Sequence, residues 1–323
     1  MTSRERFIKT LLCEEIGGQV PTFELAFYLT MEAFGKVHPC QRDFSQWNQM
    51  SSREKRLHIE DMAQIYIDSA VRYGHSAIKI HGCPGGYETM KYVAEAIREK
   101  SDDDYYLTMH GDPTLCIPNG DEMMEFSVNM YEAPEKLHEQ SKRQMDACLE
   151  FSAKLAADGH PVDGITMCSD YCFNTNPFFD EEMFAEFVQP YLRETISEFK
   201  KMGYYVIKHT DGNVMPILKM IADCKPHGIH SLDPQAEVSL TEARKIVGPD
   251  IALVGNVNCG LLQTGTDEEC RADILRSLRE GMANKRGYIF CTSNTVYTGM
   301  PLERYEMMID LWRKYGNYDT ASL

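Results

Sequence analysis

Tyr204-Tyr-Val-Ile-Lys-His-Thr-Asp-Gly212 is the stretch whose reading decides the fold. Its first half is apolar at successive positions, as a strand buried on both faces requires. Its second half turns polar, at His209 and Asp211, and a glycine ends it. Just upstream, residues 181–202 carry Met183, Phe184, Phe187, Val188, Tyr191, Leu192, Ile196 and Phe199 on one helical stripe, closed by Lys200, Lys201 and Gly203. Pro190 within it predicts a kink. A helix followed by a buried strand is one unit of a parallel α/β fold.

Working outward, similar runs stand at 20–25, 76–82, 105–112, 163–170, 204–212, 228–235, 251–258 and 288–295, eight in all. Ser239-Leu-Thr-Glu242 and Thr266-Asp-Glu-Glu269 have the pattern of capping boxes that open later helices. Thr2 or Ser3 starts a helix at the N-terminus. Eight β-α units in order predict an α/β protein of the (β/α)8 TIM-barrel class, one domain over residues 1–323. The connections 26–74, after the first strand, and 113–133, after the third, are long. They hold Phe27, Tyr28, Phe34, Trp47, Phe126 and Tyr131, which form either an aromatic lid or packing against the helical shell.

The 323 residues carry 33 Lys and Arg against 49 Asp and Glu, a net charge of -16. Such a surface disfavours nucleic acid and anionic membrane as partners. No apolar run is long enough to span a bilayer. Eleven cysteines without a signal-peptide core argue against a disulfide framework and for a reducing cytoplasm.

The chemistry stands where the strands end, which in a barrel is where sites are built. Those ends carry Glu24, His81, His110 with Asp112, Asp170, His209 with Asp211, Asp233, Cys259 and Cys291. His209 and Asp211 are two apart on a strand, so they share a face. Asp233, Cys259 and Cys291 lie on the next three strands, and neighbouring strands are about 4.8 Å apart. His209, Asp233, Cys259 and Cys291 can therefore converge as a tetrahedral set for Zn²⁺. The alternative is two buried thiols and a His209–Asp211 pair. Asp211 and His110 are candidate acid-base groups. Glu24, His81, Asp170 and Tyr171 are candidate substrate-binding groups. His81-Gly-Cys-Pro-Gly-Gly86 has the look of an anion loop but matches no phosphate fingerprint.

Lys208-His-Thr-Asp-Gly-Asn213 with Pro216-Ile-Leu, Leu232-Asp-Pro234, Gly255-Asn-Val-Asn258, Leu261-Leu and Gly265-Thr together resemble the uroporphyrinogen decarboxylase superfamily. The resemblance implies a (β/α)8 barrel and one of two activities. One is cofactor-free decarboxylation of uroporphyrinogen, which uses an arginine-rich motif after the first strand. Here Pro21-Thr-Phe-Glu24 stands there, and no arginine occurs between Arg6 and Arg42. The other is zinc-dependent methyl transfer with a corrinoid (cobalamin) carried by a partner protein, as in methylcobamide:coenzyme M methyltransferases and aryl-ether O-demethylases.

The coenzyme M branch uses His-x-Cys on the fifth strand, Glu on the sixth and Cys on the eighth. The chain matches at His209 and Cys291, has Asp233 for the Glu, and departs at Asp211. An Asp, Cys, Cys order such as Asp233, Cys259 and Cys291 is similar to that of some demethylases. The resemblance thus implies a methyltransferase acting on a small donor or acceptor, such as a methoxylated aromatic. Its alternatives are a decarboxylase and a non-catalytic barrel that binds a corrinoid protein.

Overall fold

The computed structural model describes residues 1–320. Seven parallel strands, hydrogen-bonded in chain order, form the sheet: β1 Ala77–Ile80, β2 Tyr106–His110, β3 Gly164–Cys168, β4 Tyr205–Thr210, β5 Gly228–Ser231, β6 Ala252–Val254 and β7 Tyr288–Ile289. Helices connect successive strands, so the α/β class holds.

The run at 20–25 does not form a strand, and among the described residues no strand ladder closes the sheet, which differs from the eight strands expected. Thr22 makes only an isolated parallel bridge to Phe290, and Phe27 one to Val296. The Ser76 N–H donates to Thr22 O at 2.6 Å and the Phe290 N–H to Pro21 O at 2.9 Å, so the segment touches both sheet edges. Two features prevent a longer ladder. Pro21 has no N–H to give, and the Glu24 carboxylate takes the Thr292 N–H at 3.3 Å.

Side chains alternate between two faces, as strand geometry dictates. Ile78, Leu107, Ile165, Val206, Ile229 and Leu253 pack outward into the main core with the helices. Ala77, Tyr106, Ile207, Ala252, Val254 and Ile289 pack inward with Phe7, Leu11 and Phe23. Helix Ser3–Leu11 closes the floor: Thr2 and Glu5 form its capping box, and the Phe7 ring lies 4.6 Å from Tyr106 and 5.6 Å from Phe23. Its Ser3 and Arg4 bond Asp104, just before β2. The floor is thus at the amino ends of the strands and the mouth at their carboxyl ends.

The kink expected at Pro190 appears as a π-turn at Phe184–Val188, followed by helix Gln189–Lys201. The wider turn absorbs a residue that cannot donate a helical hydrogen bond. The Thr266–Glu269 box is complete. At the Ser239 box only the serine half is present, because the Glu242 carboxylate pairs with Lys245 Nζ at 2.6 Å instead of reaching back to the cap. The loop aromatics mostly join the shell. Phe27 packs on Tyr73 and Tyr305, Trp47 on Phe44, and Phe126 on Phe178, while Tyr131 points to solvent.

Candidate functional site

At the mouth, β4 delivers His209 inward, in register with Cys168 of β3 and His230 of β5. That register brings His209 Nδ1 within 2.7 Å of His230 Nδ1. Burial lowers the pKa of both rings, His230 to about 3 and His209 well below its usual range, so both are neutral at pH 7. His230 Nε2 lies 3.2 Å from Thr292 O, which can only accept. His230 Nε2 therefore carries the hydrogen, and His230 Nδ1 accepts from His209 Nδ1–H. His209 Nε2 is left as a lone pair. It faces Asp211 Oδ1 at 3.7 Å and Asp170 Oδ1 at 3.9 Å.

The two carboxylates are themselves held. The Asp211 N–H donates to Asp170 Oδ1 at 3.0 Å, Ser231 Oγ donates to Asp211 Oδ1 at 2.7 Å, and the Asn294 amide donates to Asp211 Oδ2. Burial, then the neighbouring Asp170, raise the Asp211 pKa to about 7. With Asp211 deprotonated, a lone pair and two carboxylate oxygens converge with no hydrogen between them and repel one another. In that state the group could hold a cation, and one nitrogen with two oxygens suits Zn²⁺ or a similar divalent ion.

Two groups place three donor atoms within 4.8 Å of one another among the described residues: Asp170, His209 and Asp211, and a second one, His38, Cys40 and His81. The expected quartet of His209, Asp233, Cys259 and Cys291 is not assembled, and this corrects the sequence reading. Cys291 packs inside the sheet with Phe23, Val254 and Ile289. Cys259 opens helix Cys259–Thr264 and its Sγ donates to Thr295 O at 3.8 Å. Burial raises the pKa of both thiols, Cys259 to about 12, so both are protonated. Asp233 caps the turn Pro234–Ala236, accepting from the Gln235 N–H at 3.0 Å.

Tyr171 is also corrected. It is fully buried behind the sheet, its hydroxyl 2.6 Å from Thr114 Oγ1. The Lys208 ammonium lies 4.2 Å from its ring centroid and 2.7 Å from Asp112 Oδ2, with neither charged side chain exposed. Tyr171 therefore supports a buried ion pair and does not face the mouth. His110 stands at the rim, its pKa lowered by burial and then by Lys79. Glu24 is buried, accepts from Thr292 Oγ1 at 2.5 Å, and is raised by burial to about 8. His81 donates from Nδ1 to Lys79 O at 3.0 Å, with its Nε2 unpartnered.

Sequence reasoning missed His230, Ser231 and Asn294. His230 had a signal, since it is two residues from Gly228 on the inward face of a predicted strand. Lys79 was also missed. Its ammonium reaches Cys168 Sγ at 3.8 Å and forms no ion pair among the described residues.

The uroporphyrinogen decarboxylase (URO-D) family profile matches residues 117–315, more than half of the chain. The chain belongs to this family. Its structure is similar to that of a methyltransferase from Methanosarcina mazei, with 17% identity over 97% of this chain and 99% of that one and a TM-score of 0.72. A GH5_18 protein from Streptomyces cattleya is more distant, at 10% identity, coverage of 92% and 81%, and a TM-score of 0.52. At such identities the likeness is one of fold. No curated protein matches the chain in sequence. Among the described residues, no helix is long and apolar enough to cross a membrane.

Proposed function

We propose that this URO-D family member is a zinc-dependent methyltransferase that moves a methyl group between a small molecule and a corrinoid carried by a partner protein. Its scaffold is a (β/α)8 barrel in which the first strand is reduced to bridges around Thr22. The activity class is taken from the Methanosarcina mazei methyltransferase, whose fold this chain shares over nearly its full length. The observation that carries the metal reading is the His209 Nε2 lone pair directed at Asp170 and Asp211. The ligand set is thereby revised to His209, Asp211 and Asp170.

Zinc at these residues would supply Lewis acidity to the oxygen or sulfur of the small substrate, such as a methoxylated aromatic. The chain's own residues prepare that site. His230, anchored on Thr292 O, fixes the His209 tautomer, as groups behind metal-bound imidazoles do. Ser231 and Asn294 orient Asp211. His110 at the rim is the group to exchange a proton with the leaving or entering oxygen. A partner carrying the corrinoid docks over the strand ends, where the mouth opens. The decarboxylase alternative needs arginines for a polycarboxylate. Arg42, the first after Arg6, is engaged by Asp61 at 2.7 Å.

The test is metal analysis joined to a methyl-transfer assay with a corrinoid protein as acceptor. His209→Ala should lose one equivalent of zinc and all transfer. If the variant keeps the wild-type zinc content, the reading is wrong.

A further inference from the structure

The second donor cluster lies across the mouth, in the long loop after the first sheet-edge segment and at the end of β1. His38 opens the short turn Pro39–Gln41, which carries Cys40, and His81 follows β1 directly. One ring nitrogen of each histidine and Cys40 Sγ lie within 4.8 Å of one another. The backbone is tightly drawn in. A Cβ on Gly82 would sit 2.5 Å from Cys40 Sγ and 2.6 Å from its amide nitrogen, so only glycine admits the thiol there.

The His81 tautomer is fixed. Its Nδ1 lies 3.0 Å from Lys79 O, an acceptor, so Nδ1 carries the hydrogen and Nε2 is a lone pair. That Nε2 is buried and has no partner. A ring oriented by a backbone carbonyl, with its other nitrogen free, is the usual condition of a metal-bound histidine. A cavity of about 30 Å³ is lined by His38, His81, Lys79, Tyr66 and Glu24. Glu24 Oε1 is a second buried polar atom there without a partner. Two unpartnered polar atoms around a space for one water-sized ligand are unexplained by folding, because burying them unbonded is unfavourable.

We infer that His38, Cys40 and His81 form a second metal site, a His₂Cys set for Zn²⁺, with the fourth position open to a small ligand in the adjoining cavity. Two imidazoles and one thiolate suit zinc better than hard cations. Zinc bonds of about 2.0–2.3 Å set tetrahedral donors roughly 3.5 Å apart, so donors within 4.8 Å of one another close by about 1.3 Å at most. Binding displaces the Cys40 thiol proton, whose release burial opposes and the Lys79 charge assists. It also gives up the 3.2 Å bond from the Cys40 N–H to His38 Nδ1. The site shares no residue with the Asp170–His209–Asp211 group and stands if that reading fails.

The experiment is zinc content per chain, with Co²⁺ substitution as the second readout. Only this site supplies sulfur, so a thiolate-to-cobalt charge-transfer band reports it alone. Wild type should bind two equivalents and show the band. Cys40→Ser and His81→Asn should each lose one equivalent and the band, while His209→Ala should lose one equivalent and keep it. Cys40 is exposed, so its serine variant is expected to fold. A band that survives Cys40→Ser, or no band in wild type at saturating Co²⁺, overturns the assignment.

Discussion

Acid should weaken metal binding at the Asp170–His209–Asp211 group by the worth of a single proton. Burial and the charge of Asp170 hold the Asp211 pKa at about 7 in the metal-free protein. At about pH 6, roughly nine in ten molecules therefore carry that proton. His209 carries none to displace, because burial and then His230 press its pKa well down. A divalent ion must expel the Asp211 proton before it can bond the oxygen. Affinity then falls about tenfold per pH unit below about 7, which is ~100-fold or about 2.7 kcal/mol by about pH 5. The assay is competition for Zn²⁺ against a chromophoric chelator, in a Cys40→Ser background that leaves only this group. A plot of log Kd against pH should have unit slope in the acid range and flatten above about 7. Asp211→Asn should bind more weakly throughout and lose the slope. A flat profile with Asp211 intact, or an undiminished slope in the asparagine variant, would refute the proton assignment and the ligand role built on it.

Glu24 makes a second pH test. Burial raises its pKa from 4.5 to about 8. A raised native pKa means stability that is full below about 4.5 and lost as pH climbs through about 8, a loss on the order of 5 kcal/mol. Glu24→Gln should abolish that fall in the urea midpoint, and parallel wild-type and variant profiles would contradict it. Lys208→Met strands the buried Asp112 charge, and should cost about 3–5 kcal/mol in denaturant unfolding. Adding Asp112→Leu should restore much of that, and a single-variant loss below about 1 kcal/mol would deny the pair any structural role.

The strands were legible because a parallel strand buried on both faces must be apolar at successive positions, and each of β1–β7 falls inside a run that reads so. The first run misled for local reasons, a proline without a donor and a carboxylate that takes its neighbour's N–H. His209 and Asp211 were legible as a pair, since residues two apart share a face. The cysteines were not. Sequence says which strand carries a thiol but not how deep it sits, and Cys291 lies one inward step above Ile289, among apolar side chains. Cys259 has already left its strand for a helix. His38 and Cys40 had only the spacing of one intervening residue to announce them, in a loop where no periodicity constrains direction.

Following the inward positions from floor to mouth gives Tyr106, Thr108 and His110 on β2, Gly164, Thr166 and Cys168 on β3, and Ile207, His209 and Asp211 from β4. The lower layer is held by Phe7 and Phe23 and needs nothing further. The middle layer satisfies itself, as Thr108 and Thr166 do across 2.9 Å. The upper layer does not close on itself in the same way. His209 spends Nδ1 on His230 and His81 spends Nδ1 on a backbone carbonyl, and each presents its second nitrogen to other donors instead of a hydrogen. Packing gains nothing from a lone pair so placed, and desolvating it costs stability. Two imidazoles held in this way, at two separate groups around one mouth, are what a pair of cation sites would require, and the proton of Asp211 is the competitor that a cation would have to displace at the first of them.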